Sequence, residues 1–95
     1  MHHVLARITV KPEAAAKARG ILTELVTQSR HEAGCLRYEL YSQADSPHVF
    51  QTVEHWQDKA AADAHMATPH VGAAIAAAAA LFAAPPEIVA YSKLM

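Results

Sequence analysis

The chain has 95 residues and a mass of 10.2 kDa, which leaves room for one domain over residues 1–95 and excludes a multidomain enzyme. Eight Lys plus Arg against nine Asp plus Glu give a net charge of −1 with no basic run, so nucleic-acid binding has no electrostatic support. Hydrophobic residues make up 53%, but 22 are alanine. The core is therefore small, and a second copy would be a natural way to bury more surface.

The single cysteine, Cys35, excludes an internal disulfide framework, and neither CxxC nor H-E-x-x-H occurs. The N-terminus has no signal-peptide pattern. The longest apolar stretch, Val71 to Ala84, falls short of the ~20 residues of a membrane span. A cytoplasmic protein with no membrane partner is expected.

His2 to Val10 alternates, with Val4, Ala6, Ile8 and Val10 on one side, and reads as a strand. Pro12-Glu13 suits a helix start, and a helix is expected from Pro12 to about Glu32, its apolar stripe formed by Ala14, Ala18, Ile21, Leu22, Leu25 and Val26. Gly34 is expected to end it in the left-handed conformation. Cys35 to Ser42 and His48 to Trp56 then read as an antiparallel hairpin around the turn-rich Gln43–Pro47, with Phe50, Thr52, Glu54 and Trp56 on one face. Asp58 caps a short helix to about Met66, and Thr68-Pro69 opens another to about Phe82. After Pro85-Pro86, a last strand is expected from Glu87 to Met95.

The order strand, helix, strand, strand, helix, strand is the split βαβ pattern of a ferredoxin-like α+β sandwich with an antiparallel sheet. Helices cover one face of such a sheet. Apolar and aromatic groups on the other face suggest sheet-on-sheet dimerisation.

Three stretches carry a family resemblance. His31-Glu32-Ala33-Gly34-Cys35-Leu36-Arg37-Tyr38-Glu39-Leu40, Glu54-His55-Trp56 and Ala64-His65-Met66-Ala67-Thr68-Pro69-His70 resemble, in order and spacing, motifs of the antibiotic biosynthesis monooxygenase domain. The resemblance implies a dimeric α/β barrel built from two ferredoxin-like sheets. It also implies one of several activities: cofactor-independent oxygenation of quinols or polyketide-derived phenols, haem degradation, or isomerisation of a phosphorylated sugar. The haem-degrading relatives use an asparagine on the first strand, and this chain contains none.

Oxygenation without a metal or flavin needs a base, a pocket and an aromatic substrate whose anion reduces dioxygen. Imidazole titrates in the useful range, so His65 is the candidate base; a structural hydrogen-bonding histidine is the alternative. Trp56, Tyr38, Phe50 and His70 are candidate substrate contacts, although Trp56 and Tyr38 serve equally well as packing residues. Glu54, if buried, is expected to be structural, in an inter-strand or inter-subunit ion pair with an arginine such as Arg7 or Arg37. Gly34 is likewise structural. No cysteine or carboxylate is recognisable in the sequence to complete a ligand set around His65 and His70, so neither metal nor cofactor is expected. The expected reaction is monooxygenation of a quinol or related phenolic with O2 in a homodimer. The alternatives are an isomerase of a small phosphorylated hydroxyketone and a non-catalytic small-ligand-binding module.

Overall fold

The computed structural model describes residues 1–95 and contains four strands and three helices: β1 (His2–Thr9), α1 (Ala15–Ser29), β2 (Cys35–Gln43), β3 (Ser46–Trp56), α2 (Lys59–Met66), α3 (Pro69–Ala78) and β4 (Glu87–Tyr91). The sheet runs in the order β2-β3-β1-β4, and every pairing is antiparallel. This is the expected ferredoxin-like α+β fold, with the helices on one face. No helix is long and apolar enough to cross a membrane.

Strand alternation decides what faces the helices. Val4, Ala6 and Ile8 of β1 point inward and are buried, while their neighbours His3, Leu5 and Arg7 take the outer face. On β3, Phe50, Thr52, Glu54 and Trp56 all point inward and are buried, as the period-two reading requires. Along α1, Ala18, Leu22, Val26 and Ser29 recur at helical spacing and press against this sheet face. Two small core clusters result. One gathers Val4, Val26, Tyr38 and Ala62 around Trp56; the other gathers Ile8, Val10, Ala18 and Leu22 around Phe50.

The ends of several elements differ from expectation, each for a local reason. The segment expected as one helix from Pro12 opens with a 3-10 turn at Pro12–Ala14, and α1 stops at Ser29. Residues beyond it continue as turns, with Glu32 N–H donating to the Ser29 carbonyl and Cys35 N–H to that of Glu32. Gly34 is not left-handed, since no residue in the chain has positive φ. Its requirement is space: a Cβ there would overlap the Cβ of Ala61 on α2.

The hairpin loop contracts to Ala44-Asp45, with Pro47 inside β3 at a register shift that leaves its missing N–H out of the ladder. A second shift between Cys35 and Arg37 turns Leu36 outward, to 56% exposure, so it does not share the face of Tyr38 and Leu40. Finally, β4 ends at Tyr91, paired to His3, short of the expected Met95.

Asp58 caps α2 by accepting from Ala61 N–H at 2.8 Å, and Thr68 caps α3 through Val71 N–H at 3.4 Å. These caps fix the bend that carries His65 at the end of α2 and His70 in the first turn of α3.

Candidate functional site

A cavity of about 300 Å³ lies between the inner sheet face and the helices. Val4, Ala6 and Ile8 of β1, Leu22 of α1, and Val71, Ile75 and Ala78 of α3 give it mainly apolar walls, and Ile88 and Ala90 of β4 complete it. Tyr38, Thr52, Glu54, Trp56 and His65 bring the polar atoms. A mostly apolar hollow with a few convergent polar groups is the usual form of a small-molecule site.

Three rings meet at one end of the cavity. The His65 ring lies 4.6 Å from that of Trp56 at an interplanar angle of 36°, and 5.5 Å from that of Tyr38. Tyr38 meets Trp56 edge-on, with centroids 6.1 Å apart. Burial first, and the nearby Glu54 carboxylate second, push the Tyr38 phenol well above the ordinary tyrosine range. It is a neutral hydroxyl at physiological pH.

Behind His65, on the side away from the cavity, stands Glu32. Its Oε2 accepts from His65 Nδ1 at 2.6 Å and from His70 Nε2 at 2.8 Å. A carboxylate only accepts, so each ring presents an N–H to it. For His65 this assigns the proton to Nδ1 and leaves Nε2 as an acceptor, the tautomer a general base requires. Glu32 belongs to the turn after α1, so three separate segments converge here.

Glu54 is 5% exposed, and its partners are not the arginines expected. Thr52 Oγ1 donates to it at 2.7 Å and Trp56 Nε1 at 3.0 Å. Thr52 Oγ1 in turn accepts from Ala6 N–H at 3.2 Å. Arg7 and Arg37 pair across the ladder with Gln51 and His55, on the opposite face of the sheet, where Arg37 forms an ion pair with Glu39 at 2.7 Å. Alternation alone separates them from Glu54.

The sequence candidates thus divide. His65, Trp56 and Tyr38 are brought together at the cavity. Phe50 is fixed in the neighbouring core cluster and does not line it. His70 is turned to Glu32 and does not line it either. Glu32 meets His65 from 33 positions away, and no local periodicity signals such a contact. The fold thus brings a carboxylate to both histidines. Cys35 packs beside Trp56, and burial followed by the Glu32 and Glu54 carboxylates pushes its thiol up, the reverse of an activated nucleophile.

The family model of the antibiotic biosynthesis monooxygenases matches residues 1–77, which include β1 through α2 and every cluster residue around His65. The chain belongs to that family. Among relatives of this monooxygenase family member, Rv0793 of Mycobacterium tuberculosis is 34% identical over 67 residues, 70% of this chain and 65% of that protein. The sll1783 protein of Synechocystis is 31% identical over 88 residues, 93% of this chain and 60% of that protein. The chain spans less than two thirds of the length of these two curated relatives.

Two solved structures superpose over nearly the whole chain. A crystal structure described as an antibiotic biosynthesis monooxygenase gives a TM-score of 0.95 at 32% identity, covering 100% of both chains. That of PA3566 from Pseudomonas aeruginosa gives 0.91 at 33%, covering 99% of this chain and 94% of the other.

Proposed function

We propose that this family member is a cofactor-independent monooxygenase acting on a quinol or related phenolic with O2, and that residues 1–95 work as one domain. The observation that carries the reading is the Glu32–His65 pair at the wall of an aromatic-lined cavity. A phenol bound against Trp56 and Tyr38 loses its proton to His65 Nε2. The anion then passes an electron to O2, far more readily than the neutral phenol would.

Recombination of the substrate radical with superoxide forms a C–O bond to the ring carbon. The resulting peroxide loses water across its O–O bond. For a quinol, the sum is quinol plus O2 giving hydroxyquinone plus water, with one oxygen atom retained in the product. The apolar walls keep bulk water from the anion and the radical pair, and Glu32 holds the imidazolium once it has formed.

We further propose that two copies pair through their outer sheet faces as a barrel. The cross-strand row Val53–Leu5–Val89 makes an apolar stripe there, flanked by the half-exposed Tyr41 and Tyr91. Light scattering is expected to give twice the chain mass. A monomer at micromolar concentration would remove the barrel from the proposal.

Oxygen uptake by EDTA-treated protein with a panel of quinols, corrected for autoxidation, tests the activity. Uptake that depends on protein and falls about 100-fold or more in His65→Ala is expected, the usual range for loss of a general base. Full turnover in that variant would discard the assignment of the base, and no uptake on any quinol would discard the oxygenase.

A further inference from the structure

We propose that Glu32, His65 and His70 together form a binding site for one divalent transition-metal ion of the zinc type. We further propose that occupancy of the site switches His65 off as a base. The second part rests on the oxygenase reading above; the first does not.

Two imidazole nitrogens and one carboxylate oxygen are the donor types preferred by zinc and its borderline neighbours, whereas calcium and magnesium prefer oxygen alone. Here they converge from three segments that meet only in the fold: the turn after α1, the end of α2 and the first turn of α3. The three donor atoms all lie within 4.8 Å of one another. Both rings aim at a single oxygen, Glu32 Oε2, so the donors share a common focus and are not merely neighbours.

Ligand atoms around a tetrahedral zinc ion sit about 3.3 Å apart, so the carboxylate must retreat from each ring and the rings must close, by adjustments on the order of 1 Å. The side chains are sheltered, at 5% exposure for His65 and 16% for Glu32 and His70. The backbone between the histidines is already tied, with Thr68 Oγ1 donating to the His65 carbonyl at 2.7 Å. Three protein ligands leave one position for a water molecule.

The switch follows from the imidazole proton count. Neutral imidazole carries one proton. Without metal, Glu32 keeps that proton on Nδ1, which leaves Nε2 as the acceptor of a neutral ring whose side chain lines the cavity. An ion on Nδ1 requires the proton to sit on Nε2. That nitrogen then becomes a donor and cannot take a phenolic proton.

The test uses EDTA-treated protein in a His2→Ala, His3→Ala background, which removes the histidines beside the N-terminus from competition. Zinc is titrated against a chromophoric chelator. One ion per chain is expected, with affinity at least tenfold weaker in His70→Ala and in Glu32→Gln. Absence of saturable binding, or equal binding in folded variants, would overturn the site. Should both variants unfold, Co2+ bound to the protein with these three residues intact must show the visible bands of a four-coordinate N/O site, and their absence overturns it equally. In the oxygen electrode, one equivalent of zinc is expected to suppress uptake tenfold or more. Unchanged uptake with the site filled would overturn the switch. A preparation inactive on every quinol overturns the switch along with the oxygenase reading on which it rests, while the titration decides the site alone.

Discussion

Glu32 Oε2 lies 2.6 Å from Nδ1 of His65, although 33 positions separate the two residues in the chain. That contact sets the chemistry of the cavity wall. It selects the tautomer of a ring that is otherwise free to carry its proton on either nitrogen.

Glu32→Gln tests the positioning role directly. The amide keeps the size of the carboxylate but can turn its NH2 towards Nδ1, which would drive the His65 proton to Nε2. Oxygen uptake is expected to fall by roughly 10- to 1000-fold, with Glu32→Asp recovering part of it. Nitrogen-15 NMR of the histidine side chains checks the cause, and a ring still protonated at Nδ1 in the glutamine variant would refute it.

Thr52 connects β1 to the buried carboxylate of Glu54, accepting from Ala6 N–H and donating to Glu54. Thr52→Val preserves the shape and strand propensity but removes the hydroxyl that donates to the buried Glu54 carboxylate and accepts from Ala6 N–H. A loss of about 1–3 kcal/mol in urea unfolding is expected. Stability equal to that of the parent chain would show that neither bond contributes.

Gly34 is required by its neighbour on α2. Alanine there has unstrained φ available but places its Cβ against that of Ala61. Such overpacking is expected to cost about 1–3 kcal/mol, and Ala61→Gly in the same chain should return much of it. Additive losses in the double variant would mean that the two positions do not touch in solution.

The phenol of Tyr38 gives a pH dependence whose sign follows from burial. Burial raises its pKa, so the folded chain holds the proton more tightly than the unfolded chain does. The contribution is complete below about pH 10, the ordinary tyrosine value, and is lost progressively as pH rises beyond it. Urea midpoints should therefore fall more steeply above pH 10 in the parent chain than in Tyr38→Phe. Parallel curves would argue that Tyr38 ionises freely in the folded state.

Much of this molecule is legible in one dimension. Alternation in β1 and β3, the helical spacing of Ala18, Leu22 and Val26, and the caps at Asp58 and Thr68 are local signals with periods of two or of about 3.6 residues. They suffice to order the elements, to place Trp56 on the helix side of the sheet, and to mark His65 as a candidate. The same alternation that buries Glu54 sends Arg7 and Arg37 to the other face of the sheet.

What no local pattern encodes is which distant groups share an atom. The meeting of Glu32 with His65 and His70, the closeness of Gly34 to Ala61, and the exclusion of Phe50 from the cavity follow from how α1 and α2 settle on the sheet. Burial selects that arrangement, and only afterwards do the polar groups find their partners. Element order and facing were therefore set by the sequence's own periodicity, whereas the proton position on His65 is set by tertiary packing, because a hydrogen bond across 33 residues exists only once the chain has closed around it.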